Sequence, residues 1–162
     1  MKTNSVTRGL AAASLAVGAL AASTPAASAA SAVPEPIDVS FTADCPGFKA
    51  ELQASGKLGV INLPGDRQFF TAPDLGITVT GPGDSLSYVI TGVVMVQNLS
   101  DGGQFVTATG PNLITVPKAN GHPAGLYYTT GTVSWTLDKK GREVGGMFTG
   151  SGTVTDVCAA IS

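Results

Sequence analysis

The stretch Ser85–Cys158, SLSYVITGVVMVQNLSDGGQFVTATGPNLITVPKANGHPAGLYYTTGTVSWTLDKKGREVGGMFTGSGTVTDVC, decides the fold. It reads as four long β-strands, each with a Thr-Gly pair near its middle: Thr91-Gly92, Thr109-Gly110, Thr130-Gly131 and Thr149-Gly150. Side chains alternate faces along a strand. One parity of the first strand is Leu86, Tyr88, Ile90, Gly92, Val94 and Val96. The second gives Val106, Ala108, Gly110, Asn112, Ile114 and Val116. The third gives Tyr127, Thr129, Gly131, Val133, Trp135 and Leu137, and the fourth Phe148, Gly150, Gly152, Val154 and Asp156. The opposite parity is rich in hydroxyls, from Thr91 through Thr107, Thr132 and Ser134 to Thr155.

This pattern predicts apolar rows inside and Thr rows in water, with Thr supplying β-branched stiffness. The inward glycines need a separate reason, because Gly within a strand forfeits packing area and costs backbone entropy. They mark bends or close approaches that let strands of about a dozen residues, twice the usual length, curl around one core. The alternative is a gap left for a ligand. On that reading Tyr88, Gly92, Gly110, Tyr127, Gly131 and Trp135 line a small apolar pocket.

Upstream, alternation at Phe48–Ser55 predicts a half-buried strand; after a bend at Gly56, Lys57–Leu63 either continues it or pairs with it. Ile37–Phe41 suits a short first strand. Turn signals stand at Pro64-Gly65-Asp66, Gly81–Asp84, Asp101–Gly103 and Asp138–Gly141. The count comes to about eight strands and no helix. The expected fold is all-β and mainly antiparallel, a meander closed into a β-barrel, with a two-sheet sandwich as the alternative.

Residues 1–29 fit a secretory signal peptide: Lys2 and Arg8, then the apolar run Leu10–Ala22, then Ala27-Ser28-Ala29 before the cleavage point. Residues 30–44 form an extended lead-in with the short first strand, and 45–162 a single β domain. The mature protein is expected outside the cytoplasm, secreted and in some settings held at the cell wall. No later stretch is apolar enough for a membrane helix. The chain carries 9 Lys/Arg against 11 Asp/Glu, a net −2, and losing Lys2 and Arg8 makes the mature part more acidic. With no basic cluster, nucleic acid is an unsuitable partner. In an exported chain the 2 cysteines, Cys45 and Cys158, most simply form one disulfide. The other reading is two buried thiols.

Chemistry-bearing motifs are sparse. His122, the only histidine, sits in a Gly-His-Pro-Ala-Gly loop with no nucleophile-elbow pattern nearby. Asp66, Asp84, Asp101 and Asp138 lie in turns, where Asp caps backbone amides. Asp44 and Asp156 stand beside the cysteines; Asp156 reads as a hydrogen-bond acceptor at a strand end, and a carboxylate pair for glycoside hydrolysis lacks a visible cleft. No metal-ligand spacing and no cofactor motif occur. Asn98-Leu99-Ser100 is a formal glycosylation triplet.

The segments Cys45-Pro-Gly-Phe48, Leu63-Pro-Gly-Asp-Arg67, Val89-Ile-Thr-Gly92 and Gly150-Ser-Gly-Thr-Val-Thr-Asp-Val-Cys-Ala159 resemble small exported β-rich proteins of actinobacteria. The resemblance spans most of residues 41–160 and implies an exported β domain, with no activity attached. The sequence therefore favours a non-catalytic exported protein that meets an envelope or extracellular partner. The alternatives are a small apolar-ligand carrier and a secreted hydrolase.

Overall fold

A computed structural model of the protein describes residues 33–118 and 122–162. The expected signal peptide and the first residues of the lead-in lie outside that range. Twelve strands and one short helix follow in order: β1 (Glu35–Cys45), β2 (Phe48–Leu63), β3 (Arg67–Thr71), β4 (Gly76–Thr80), β5 (Ser85–Val89), β6 (Val93–Asn98), β7 (Gln104–Thr109), β8 (Asn112–Val116), β9 (Gly125–Thr130), β10 (Thr132–Leu137), β11 (Glu143–Gly150), β12 (Thr153–Asp156) and α1 (Val157–Ala160).

Each of the four long strands is broken at its Thr-Gly pair. β5 passes into β6 through Gly92, β7 into β8 through Gly110, β9 into β10 through Gly131, and β11 into β12 through Gly150–Gly152. For the last three of these the two halves join different sheets, while β5 and β6 lie in different wings of one sheet. A nine-stranded antiparallel sheet runs β11-β10-β7-β6-β3-β2-β4-β5, with β1 also on β2; a three-stranded sheet runs β12-β9-β8. β2 belongs to two wings of the large sheet. Its first half pairs with β1 and β4, and its second half, beyond Gly56, pairs with β3. The sheet path has free ends at β11 and β5, so the expected barrel is not closed; the architecture is that of packed open sheets, as in the sandwich alternative. Alternation along a strand is the same in a barrel and a sandwich. The difference lies in the corners, where these strands change sheet instead of curling.

Two apolar clusters result. The first lies between the β1–β2–β4–β5 wing and the small sheet, with Leu52, Ile77, Val79, Leu113, Leu126, Val157 and Ile161 at its centre. The second lies between the β6–β7–β10–β11 wing and the small sheet, and holds Val106, Ala108, Ile114, Val116, Val133 and Trp135. Fully burying one such side chain contributes about 1.5–3 kcal/mol. The predicted inward parity holds for β6, β7 and β10, where Val94, Val96, Val106, Ala108, Val133 and Trp135 share one cluster. It fails on the small sheet. Leu113 and Leu126, on the parity expected to face water, are 3% and 0% exposed, because β8 and β9 are covered on both faces. It fails also at β12, an edge strand whose Val154 and Asp156 are exposed.

The chain closes with α1, a turn of helix absent from the sequence reading. Asp156 caps it by accepting from the Ala159 amide at 3.0 Å. Ile161 is fully buried, and its carbonyl accepts from the Gly83 amide at 3.1 Å. The expected disulfide Cys45–Cys158 joins the end of β1 to α1, with Cα atoms 5.6 Å apart. Among the described residues no helix is long and apolar enough to cross a membrane.

Candidate functional site

The six residues expected around a ligand pocket fall into three groups: Gly92, Gly110 and Gly131 adjoin one another, Tyr127 and Trp135 share the second cluster, and Tyr88 lies in the first. Gly110 donates to the Gly131 carbonyl and Gly92 to the Pro111 carbonyl, each at 2.8 Å, and Gly152 donates to Thr132 at 2.9 Å. These glycines form a seam along which strands change sheet. The seam is filled: a Cβ on Gly92 would meet the Asn112 side chain, and one on Gly131 would lie 3.0 Å from the Gly152 Cα. Tyr88 stacks on Tyr128 in the first cluster, with centroids 4.6 Å apart. Burial, then the neighbouring Tyr128, pushes the Tyr88 phenol pKa up. Tyr127 and Trp135 both meet Phe148 edge-on, at 5.6 and 5.5 Å, in the second cluster. The cavity beside Trp135, bounded also by Ile114, Met147 and Phe148, measures about 20 Å³, room for about one water.

His122 has a partner that sequence reading missed. Its Nε2 lies 2.8 Å from Glu143 Oε1, and its Nδ1 lies 2.8 Å from the Pro123 carbonyl. The Glu143 side chain is 4% exposed and that of His122 17%. A buried carboxylate is costly without a counter-charge, which His122 supplies when its ring is protonated. The Pro123 carbonyl raises the His122 pKa; burial opposes this, while the hydrogen bond and charge of Glu143 support it. Beside the pair, Asp138 accepts from the Lys140 and Arg142 amides at 2.8 and 3.0 Å and from the Arg142 guanidinium at 2.9 and 2.7 Å. These bonds, led by the Arg142 amide, hold the Asp138 carboxyl at a pKa of about 2. The open groove here, about 630 Å³, is completed by Val144, Gly145, Gly146 and Met147. Among the described residues its lining includes no hydroxyl or thiol. Asp44 and Asp156 take separate roles: Asp44 pairs with Lys49, and Asp156 caps α1.

The most ordered polar array is the outer face of the β1–β2–β4–β5 wing. Strand register places Thr42, Glu51, Thr80 and Ser85 in one row and Ser40, Gln53, Thr78 and Ser87 in the next. The rows follow from β2, where buried Ala50, Leu52 and Ala54 force Glu51, Gln53 and Ser55 outward. Adjacent strands lie about 4.8 Å apart and same-face neighbours about 6.8 Å apart, so the array is regular in two directions. Thr78 and Ser87 hydroxyls are 3.0 Å apart and those of Thr80 and Ser85 2.9 Å, which fixes their rotors. Between β1 and β4 the face dips into a shallow depression of about 360 Å³ lined by Ser40, Thr42, Glu51, Gln53, Thr78 and Thr80. Hydroxyls and amides both donate and accept, so the floor can bond to neutral polyols in either sense. Among the described residues no cluster of His, Cys, Asp and Glu could hold a metal ion. No family model, curated protein or solved structure matches the chain.

Proposed function

We propose that the protein is an exported, non-catalytic binding module that holds a neutral, polyhydroxylated polymer of the cell envelope or its surroundings on the outer face of the β1–β2–β4–β5 wing. The observation that carries this reading is the pair of registered rows, Thr42–Glu51–Thr80–Ser85 and Ser40–Gln53–Thr78–Ser87. A repeating ligand meets a repeating set of donors and acceptors there, and many weak bonds sum along the polymer. The export signal in residues 1–29, the disulfide and the resemblance to exported actinobacterial proteins support the location. The carrier reading gains no support from a 20 Å³ cavity, nor a serine- or cysteine-type hydrolase reading from a groove whose described lining holds no hydroxyl or thiol.

The test is co-sedimentation of the mature protein with insoluble envelope glycans, wild type against Gln53→Ala/Thr78→Val. Each lost hydrogen bond contributes about 0.5–1.5 kcal/mol, so the double variant should bind roughly tenfold more weakly. Wild-type protein that stays in the supernatant with every glycan, or a variant that binds equally well, removes the reading.

A further inference from the structure

We infer that the contact between His122 and Glu143 is a proton-controlled latch: it seals the cavity beside Trp135 while the imidazole is charged, and joins that cavity to the neighbouring groove when the ring loses its proton. The cavity of about 20 Å³ and the open groove of about 630 Å³ share a wall. Among the described residues, Glu143 and Met147 are the two that line both spaces. His122 lines the groove and not the cavity, so it meets the wall from the outside. The Glu143 backbone is held by pairing with Leu137 on β10. The turn before it is clamped by the amide and guanidinium bonds from Arg142 to Asp138. The movable part of this wall is therefore the Glu143 side chain, and His122 is what keeps it in place.

Hydrogen-bond chemistry makes the latch sensitive to one proton. The Pro123 carbonyl and a carboxylate can only accept, and each has an oxygen 2.8 Å from a ring nitrogen of His122. A charged imidazole can donate to both. A neutral one has a single N–H. In either tautomer a ring lone pair then faces an acceptor oxygen, and the attraction between ring charge and carboxylate is gone. Separation relieves both. The Glu143 side chain turns out of the wall towards the groove, where water solvates it, and the cavity opens.

The surrounding elements bring no competing switch. Between β10 and β11, Asp138 and Arg142 form an ion pair with each other. From β9 comes the Tyr127 phenol, whose pKa is raised by burial, then by Asp156 and Glu143, so it stays neutral around pH 7. β8, which supplies Ile114 and Val116 to the cavity, carries no ionisable side chain. The His122 proton is the one exchanged near neutral pH. The Pro123 carbonyl leads in raising the His122 pKa above 6.5, so the latch is closed below that value and opens as pH climbs through the folded one.

Trp135 is the only tryptophan and is 7% exposed, so its fluorescence reports on the cavity. The experiment is quenching of that fluorescence by acrylamide, a neutral probe, from about pH 5 to about pH 9, with far-ultraviolet circular dichroism at each step. We expect weak quenching of the wild type at the acid end and a severalfold rise as His122 loses its proton, at constant secondary structure. Glu143→Gln should abolish the rise, because an amide both donates and accepts and so suits the ring in either state. His122→Ala should be strongly quenched at every pH. Wild-type quenching that ignores pH, or a rise that Glu143→Gln retains, overturns the inference. So does a His122→Ala variant quenched as weakly as the wild type in acid, since the cavity is then sealed without the latch. A rise that follows loss of the circular-dichroism signal is global unfolding and overturns it too.

Discussion

His122 Nδ1 faces the Pro123 carbonyl and Nε2 lies 2.8 Å from Glu143 Oε1, so a protonated ring would have an acceptor beside each nitrogen. Its raised pKa links protonation to folding in a definite sense. The stability that the charged ring contributes is fully present below its unfolded value of 6.5 and is lost as pH rises through the higher folded value. Thermal melts of the wild type between about pH 6 and about pH 9 should therefore show a fall that His122→Gln lacks. Parallel profiles would mean that the pair contributes nothing. Sequence reading found His122 but left it alone in its loop. Its partner was hidden because β11 is irregular: Thr149 pairs with Ser134 while Val144 pairs with Thr136, so residues between them bulge out. Counting parity back from Phe148 cannot place Glu143 on the inner face across that bulge. Asp156 reads from sequence as a hydrogen-bond acceptor at a strand end; it does accept, from the Ala159 amide, but as the cap of α1, a turn the pattern does not announce.

At the scale of elements, the Thr-Gly pairs act as corners. Gly131 has φ 73° and lies close against Gly152, so both its conformation and its lack of a side chain are used. Gly131→Ala should cost about 2 kcal/mol or more, combining roughly 1–2 kcal/mol of left-handed backbone strain with the displaced Gly152. Gly47→Ala is the control. Gly47 has φ 87° but open space around it, so only the backbone term should appear. Urea midpoints measure both, and equal losses would show that the seam tolerates a methyl group. The glycine positions were legible in the sequence because they interrupt otherwise apolar rows. Which sheet each half-strand joins was not legible, since alternation carries no information about direction beyond a corner. For the same reason the doubly buried β8, with Leu113 and Ile114 on opposite faces, departed from the one-sided pattern. The bend at Gly56 is legible in the sequence, but whether Lys57–Leu63 continues the strand or pairs back on it is not; in the 16-residue β2 it continues, with β3 as its partner.

At the scale of the molecule, the disulfide links residues 113 apart in sequence and ties β1 to α1. In the chain-entropy model a loop of that size is worth about 5 kcal/mol, comparable with the whole stability of many domains. Cys45→Ala/Cys158→Ala should lower the unfolding free energy by an amount of that order, measured by urea titration, and reductant should reproduce the loss in the wild type. A shift under about 1 kcal/mol would show that the reduced chain is already constrained. The pairing was legible because a chain that reads as exported, with two cysteines, leaves one simple choice; sandwich against barrel was not. The same bond decides how the protein answers mechanical pull. Tension applied between Val33 and Ser162 runs through the sulfur atoms and passes by every strand from β2 to β12. Only β1 and the residues after Cys158 can come away, β1 releasing roughly 40 Å of chain before the tether goes taut. Anything grafted at those two ends would be joined by a short, nearly inextensible link while both wings kept their shape under load.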